Sequence, residues 1–180
     1  MILTANEILN YNVSAPRYTS YPPANYFQES QDVDRVRGWI EASNESETKK
    51  VSFYFHIPFC PVQCLYCGCQ MEIGVKAESK DRYFQNLFKE MDSVLPLLDA
   101  NREVSQVHFG GGTPNAVPYK YLSQILEKLR KRFRFTESTE VAIECDPSLL
   151  MKKRVSELGE MGFNRISLGV QDITKRCSIV

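Results

Sequence analysis

The sequence predicts an α/β protein built on a parallel, four-stranded sheet. Three observations carry that prediction. Short runs rich in β-branched and aromatic residues alternate with helix-length segments whose apolar residues recur at 3.6-residue spacing. Each strand is separated from the next by enough chain for a crossover helix, so successive strands run parallel in right-handed βαβ units. The 180 residues are 43% hydrophobic, enough to pack one core and too few for two.

The chain opens with an irregular arm, rich in Tyr and Pro, that ends at about Phe27. A helix is expected from about Asp32 to Ala42, with Val33, Val36, Trp39 and Ile40 on one side. The polar stretch 43–50 reads as a linker, and the apolar run 51–57 as the first strand. Tyr83, Phe84, Leu87, Phe88, Met91, Val94, Leu95 and Leu98 then keep helical spacing. Residues 104–109 form the second strand, broken by three glycines, and Leu122, Ile125, Leu126, Leu129 and Phe133 mark the next helix. The third strand is 140–145. Asp146 and Pro147 follow as a cap and a first-turn proline. Val155, Leu158 and Met161 face the core from a third crossover helix that Gly162 ends, and 165–170 is the fourth strand.

Every unusual motif falls just after a strand, on the carboxyl edge where ligands bind in parallel sheets. Cys60, Cys64, Cys67 and Cys69 lie within ten residues after the first strand. The spacing of the first three puts three thiolates on one small loop and leaves a position open, which suits a 4Fe-4S cluster. Zinc would ordinarily take two well-separated ligand pairs, and no second pair follows. Buried unligated thiols fit poorly in a loop bounded by Pro58, Pro61 and Gly68, and a disulfide framework is not needed to staple a chain with its own core. Gly110, Gly111 and Gly112 with Thr113 follow the second strand; they form either an ordinary βα turn or a close backbone approach to a ligand. Glu144 ends the third strand as a solvated charge or as an acceptor for two ribose hydroxyls. Gln171 offers a donor and an acceptor on the same rim.

The spacing CxxxCxxC resembles that of the radical S-adenosylmethionine enzymes. The longer string Tyr54-Phe55-His56-Ile57-Pro58-Phe59-Cys60 through Gly68-Cys69 is similar to the oxygen-independent coproporphyrinogen III oxidases. Three further segments agree: Pro16-Arg17-Tyr18-Thr19-Ser20-Tyr21-Pro22, His108-Phe109-Gly110-Gly111-Gly112-Thr113-Pro114, and Gly162-Phe163-Asn164-Arg165-Ile166-Ser167-Leu168-Gly169-Val170-Gln171-Asp172. The resemblance implies a partial parallel (β/α) barrel of radical SAM type, cut after about four strands, with an N-terminal arm and helix. It divides the chain into an arm and helix (1–50), a partial radical SAM core (51–172) and a divergent tail (173–180). It also implies a 4Fe-4S cluster on Cys60, Cys64 and Cys67, and S-adenosylmethionine, two molecules in the family. Gly111, Gly112 and Thr113 would contact that cofactor, Glu144 its ribose and Gln171 the second molecule. Tyr54 and Tyr66 match residues that touch the two cofactor molecules, with simple packing as the alternative. The implied activity is oxidative decarboxylation of coproporphyrinogen III to protoporphyrinogen IX in heme biosynthesis, with an electron donor such as a flavodoxin or ferredoxin. Arg17 pairs with a substrate propionate in this reading, or is a surface arginine.

His56 reads either as a core histidine or as a proton-donating neighbour of the cluster. His108 and Cys145 read as structural, and Cys177 has no recognisable partner. Beside the enzyme stand two alternatives: a non-catalytic fragment binding an iron–sulfur cluster, zinc or a tetrapyrrole, and a related radical SAM heme chaperone or methyltransferase. Cys69 and the Tyr-rich arm argue against the latter. With 22 basic and 22 acidic residues no global field attracts nucleic acid or anionic lipid, and the basic run 130–134 reads as a solvated face. No stretch approaches a membrane span, and the first residues lack a signal peptide's basic and apolar regions, so the expected location is the cytoplasm. Similarity stops just after Asp172, which predicts a truncated or frame-shifted product that keeps the cluster loop and lacks a complete substrate cavity.

Overall fold

A computed structural model of the chain describes residues 4, 9, 26, 27 and 32–171. The 16–22 motif with Arg17, and Asp172 and Cys177, lie outside the described residues. The chain divides into two compact units, Met1–Arg35 and Val36–Val180. In the first, the Asp32 carboxylate accepts the Arg35 N–H at 2.9 Å, which caps the start of helix α1 (Val33–Ala42). In the second, Ile40 packs against the core. The helical spacing of Val33, Val36 and Trp39 is as expected, yet all three are exposed.

Among the described residues six strands follow: β1 (Lys50–Ile57), β2 (Phe59–Cys60), β3 (Glu72–Ile73), β4 (Glu103–Gly111), β5 (Glu140–Cys145) and β6 (Arg165–Leu168). Four of them form one all-parallel sheet in the order β1-β4-β5-β6, so strands joined by a crossover are neighbours. The crossovers carry α2 (Ala77–Val94), α3 (Tyr119–Arg132) and α4 (Lys152–Glu160). The sheet does not close into a barrel among the described residues. This is the parallel α/β architecture that the alternation of strands and helices predicts.

Register assigns each residue to a face. Phe55 lies beside Phe109 and Phe109 beside Ile143, while Phe53, Val107 and Val141 share the next row. These side chains meet Phe84 and Met91 of α2, Leu122, Ile125, Leu126 and Leu129 of α3, and Leu158 of α4 in the core. The opposite face is polar. Tyr54 lies beside His108 and His56 beside Gly110, while Gln106, Glu140 and Glu144 continue the rows. Parallel sheets are ordinarily apolar on both faces. One polar face here is the first structural sign of a ligand-facing surface.

Aromatic rings link the core to the cysteine loop. Phe84 stacks on Tyr121 with centroids 4.0 Å apart, and Tyr83 meets Phe59 edge-on at 5.2 Å. Phe59 precedes Cys60, so the base of that loop stands on a packed ring cluster. The basic run proves structural as well as solvated: Arg132 donates to the carbonyls of Leu95 and Leu98, both at 2.7 Å, and Arg130 to that of Met161 at 2.8 Å. Among the described residues no helix is long and apolar enough to cross a membrane.

Two titrations follow from packing. Burial, with the Asp146 charge beside it, pushes the Cys145 thiol up to about 11. At pH 8 Cys145 is therefore expected to resist iodoacetamide in the folded chain while the exposed Cys64 reacts. Mass spectrometry of the alkylated chain, with and without denaturant, checks this. Hydrogen bonds from Arg165 and Gln106, at 2.8 and 2.6 Å, hold the Glu140 carboxyl below its ordinary value. A depressed carboxylate adds stability that is complete above its unfolded pKa and is lost as pH falls through the folded one. Glu140→Gln is thus expected to flatten the acid limb of a melting-temperature profile, and the difference from wild type is expected to vanish only once the pH has fallen below the depressed folded pKa.

Candidate functional site

The cysteine loop is bracketed by β2 and β3, which pair in parallel, Phe59 with Glu72 and Cys60 with Ile73. The Glu72 N–H donates to the Pro58 carbonyl at 2.7 Å, and inside the loop the Cys67 N–H donates to the Cys64 carbonyl at 3.1 Å. The Gln70 carbonyl faces Nε2 of His56 at 3.1 Å. A carbonyl only accepts, so Nε2 of His56 donates, and the Tyr54 hydroxyl lies 3.2 Å from its Nδ1. His56 thereby ties the sheet face to the far end of the loop. It is neither deep in the core nor hydrogen-bonded to a cysteine.

The glycine segment lies directly beneath. Gly110 and Gly111 continue β4 rather than break it, pairing with His56 and Ile57. Gly111 has φ +114°, and a Cβ there would stand 2.7 Å from the His56 ring. A Cβ on Gly112 would stand 2.8 Å from the Pro58 backbone and 2.9 Å from Sγ of Cys60. The N–H groups of Gly112 and Thr113 donate to the carbonyls of Ile57 and Phe59 at 2.8 and 2.9 Å, which carries the sheet's hydrogen bonding onto the loop.

Three cysteines each receive a hydrogen-bond donor. The Thr113 hydroxyl donates to Sγ of Cys60 at 3.3 Å, and the Cys69 N–H reaches Sγ of Cys67 at 3.5 Å. The Tyr66 hydroxyl bonds to Cys64, the main reason that its pKa is raised. The Cys69 thiol is raised as well, first by its hydrogen bond to Cys67 and then by the Cys67 charge. Among the described residues no three His, Cys, Asp or Glu side chains converge on a single metal ion. An iron–sulfur cube takes each cysteine on a separate iron, so soft donors on a shallow loop fit it, and hydrogen bonds to sulfur tune it.

Glu144 lies at the carboxyl end of β5, facing this loop across the sheet. Its Oε2 accepts the Gly111 N–H at 3.3 Å, and its Oε1 lies 3.1 Å from Nε2 of His108. Tyr54 stacks on His108 with centroids 5.8 Å apart, and its own pKa is raised by burial and then by the charge of Glu144. Tyr54, Gly111, Glu144 and the cysteine loop are thus brought together. Tyr66 sits on the outer side of the loop, largely exposed. Gln171 follows β6 with φ +55°, its amide folded against Gly169; among the described residues no hydrogen bond links it to Glu144 or to a cysteine.

Two contributors escape sequence reasoning. His108, read there as structural, proves to be part of the polar cluster. Asn115 is fully buried, and its amide grips both backbone groups of Asp146: it accepts the N–H at 2.9 Å and donates to the carbonyl at 3.0 Å. It fastens the glycine segment to the end of β5. A polar residue in a short turn carries no periodic signal that announces such a role.

A strand-end cysteine loop, a glycine edge under it and a carboxylate facing both define a class, and comparison agrees: the chain belongs to the Radical SAM superfamily, whose pattern matches residues 54–179. Members of that superfamily use a 4Fe-4S cluster and S-adenosylmethionine. The chain is 37% identical over 171 residues to oxygen-independent coproporphyrinogen III oxidase of Synechocystis sp., covering 94% of this chain and 36% of that protein. It is 39% identical over 168 residues to the Escherichia coli (strain K12) protein of the same name, covering 93% and 36%. The solved structure of Escherichia coli coproporphyrinogen III oxidase superposes with a TM-score of 0.79 at 33% identity, covering 94% of this chain and 37% of that one. The chain thus spans little more than a third of the length of these relatives.

Proposed function

We propose that this chain carries the cluster loop and the first S-adenosylmethionine site of an oxygen-independent coproporphyrinogen III oxidase. The observation that carries the reading is the convergence of Cys60, the Gly111 backbone, Tyr54 and Glu144 on one edge of the sheet. In this reading Cys60, Cys64 and Cys67 hold the cluster, and residues 1–50, 51–172 and 173–180 are arm, core and tail. Bound there, the cluster supplies one electron for reductive cleavage of S-adenosylmethionine.

The chain's own residues orient and shield. Gly111 and Gly112 place no side chain between the β4 edge and Cys60, and Thr113 turns its hydroxyl onto Sγ of Cys60, so the amino-acid end of the cofactor can approach backbone groups of this segment. Glu144 has lone pairs left after engaging Gly111 and His108, and these accept the two ribose hydroxyls. Tyr54 gives an aromatic surface beside them, and Gln171 faces a second cofactor molecule. The substrate is coproporphyrinogen III, two of whose propionates each lose a hydrogen atom, carbon dioxide and an electron to become vinyl groups; Arg17 pairs with a carboxylate. The exposed loop tip at Val62 and Leu65 faces an electron donor such as a flavodoxin or ferredoxin.

The test is anaerobic: the reconstituted chain is mixed with S-adenosylmethionine and dithionite, and 5′-deoxyadenosine is followed by chromatography with and without coproporphyrinogen III. Formation that coproporphyrinogen III stimulates supports the proposal. Formation that coproporphyrinogen III leaves unchanged contradicts the substrate, and no formation contradicts the cofactor site.

A further inference from the structure

Glu144 is held from two sides, and the two holds differ in kind. The Gly111 N–H on Oε2 is a backbone group fixed by the β1–β4 pairing. His108 on Oε1 is a side chain, three-quarters buried, and what fixes it is equally specific. Its ring lies 16° from parallel with Tyr54, its partner in the β1–β4 register. Its neighbour on the other side is Ala142, fully buried and small, beyond which Glu144 sits one pleat further along β5. Because a carboxylate only accepts, His108 donates from Nε2.

From this geometry we infer that His108 is a positioning residue that sets the angle of the Glu144 carboxylate for a cis-diol. With one oxygen pinned by Gly111 alone, the carboxyl plane can still turn about its terminal torsion, which is broad and two-fold for glutamate. With Oε1 pinned as well, the plane is fixed and the remaining lone pairs of the two oxygens face outward together. That arrangement matches two adjacent hydroxyls and is wasted on one. Tyr54 contributes through its stack by holding the imidazole plane, so Tyr54, His108 and Glu144 act as one unit. The inference rests on the reading of Glu144 as the ribose acceptor and extends it to the residue that makes that acceptor selective.

The experiment is equilibrium binding to the anaerobically reconstituted 180-residue chain, read from the change in the reduced cluster's electron paramagnetic resonance spectrum. The two probes are S-adenosylmethionine and its 2′-deoxyribose analogue. Four proteins are compared: wild type, Glu144→Gln, His108→Phe, which keeps the stack on Tyr54 and removes the donor, and His108→Gln, which restores a donor. Wild type is expected to prefer S-adenosylmethionine, by about tenfold for a hydrogen bond to a charged group. His108→Phe is expected to lose roughly that factor for S-adenosylmethionine while binding the deoxy analogue as wild type does, so that the preference collapses. His108→Gln is expected to return to within about threefold of wild type. A purely structural role for His108 would lower both affinities together, and that outcome overturns the inference, as does an unchanged preference in His108→Phe. If wild type shows no preference, or Glu144→Gln changes nothing, the ribose reading itself falls and takes the inference with it. Equal iron content in all four proteins confirms that the comparison is between intact sites.

Discussion

Gly112→Ala is expected to prevent stable cluster assembly while leaving most of the sheet folded. The added methyl would stand 2.8 Å from the Pro58 carbonyl carbon and oxygen and 2.9 Å from Sγ of Cys60, closer than real Cβ contacts allow. Two of those three atoms are backbone, so no rotamer change relieves the contact. Gly112 cannot retreat either, because its N–H is bonded to the Ile57 carbonyl and that of Thr113 to the Phe59 carbonyl. The segment that must yield is 58–60, which carries the first cysteine. Overpacking of this kind costs about 1–3 kcal/mol, and here the distortion falls on a ligand. Iron and sulfide per chain after anaerobic reconstitution, together with the melting midpoint, measure both effects. Gly111→Ala provides the contrast: its methyl meets the His56 ring and suffers the positive φ, but touches no cysteine. It should lose stability and retain iron. Full iron in Gly112→Ala would refute the account of this glycine.

Asn115→Ala is expected to destabilise the chain by about 2–4 kcal/mol, from the cost of leaving donors and acceptors without partners. The side chain is fully buried and its two hydrogen bonds close on the N–H and carbonyl of one residue, Asp146. Alanine removes both. Asn115→Asp keeps the shape but replaces the donor with an acceptor opposite the Asp146 carbonyl, so it should cost at least as much. The Arg154 guanidinium bonds to the Asn115 main-chain carbonyl at 2.6 Å and is unaffected by either change, which confines the loss to the amide. Because Asp146 is two residues from Glu144, S-adenosylmethionine binding should weaken as well. Urea unfolding curves check the stability; a change within about 0.5 kcal/mol, the range of ordinary surface substitutions, would mean that the clamp is not needed.

The sheet and its crossovers were legible because their signal is periodic. Phe84, Leu122, Ile125, Leu126 and Leu129 recur at helical spacing and are fully buried, and the apolar run 51–57 maps onto β1. The cysteine loop was legible because few chemistries use that spacing. Pairing was not legible. No local pattern says that Tyr54 lies beside His108, so a histidine read as structural turned out to bond Glu144. The strands β2 and β3 have two residues each, too short for any period, and they are what close the cysteine loop. The three glycines read as a break, whereas two of them extend β4, because a ladder needs only backbone groups and those positions supply them. The helix that Val33, Val36 and Trp39 predict is present, with these three exposed: helical spacing is necessary for a buried face and not sufficient. Asp146 does act as a cap, accepting the Ser148 N–H at 2.8 Å, but of the short turn Pro147–Leu149 rather than of α4, which starts at Lys152.

The claim on which the rest depends is that Cys60, Cys64 and Cys67 hold a cluster with one site open to S-adenosylmethionine. The most direct measurement is the electron paramagnetic resonance spectrum of the anaerobically reconstituted, dithionite-reduced chain, recorded with and without S-adenosylmethionine. The account predicts a 4Fe-4S signal whose shape changes when the cofactor is added, and loss of that signal in Cys60→Ser, Cys64→Ser and Cys67→Ser. Absence of a 4Fe-4S signal in the wild-type chain, or a signal indifferent to S-adenosylmethionine, would contradict it.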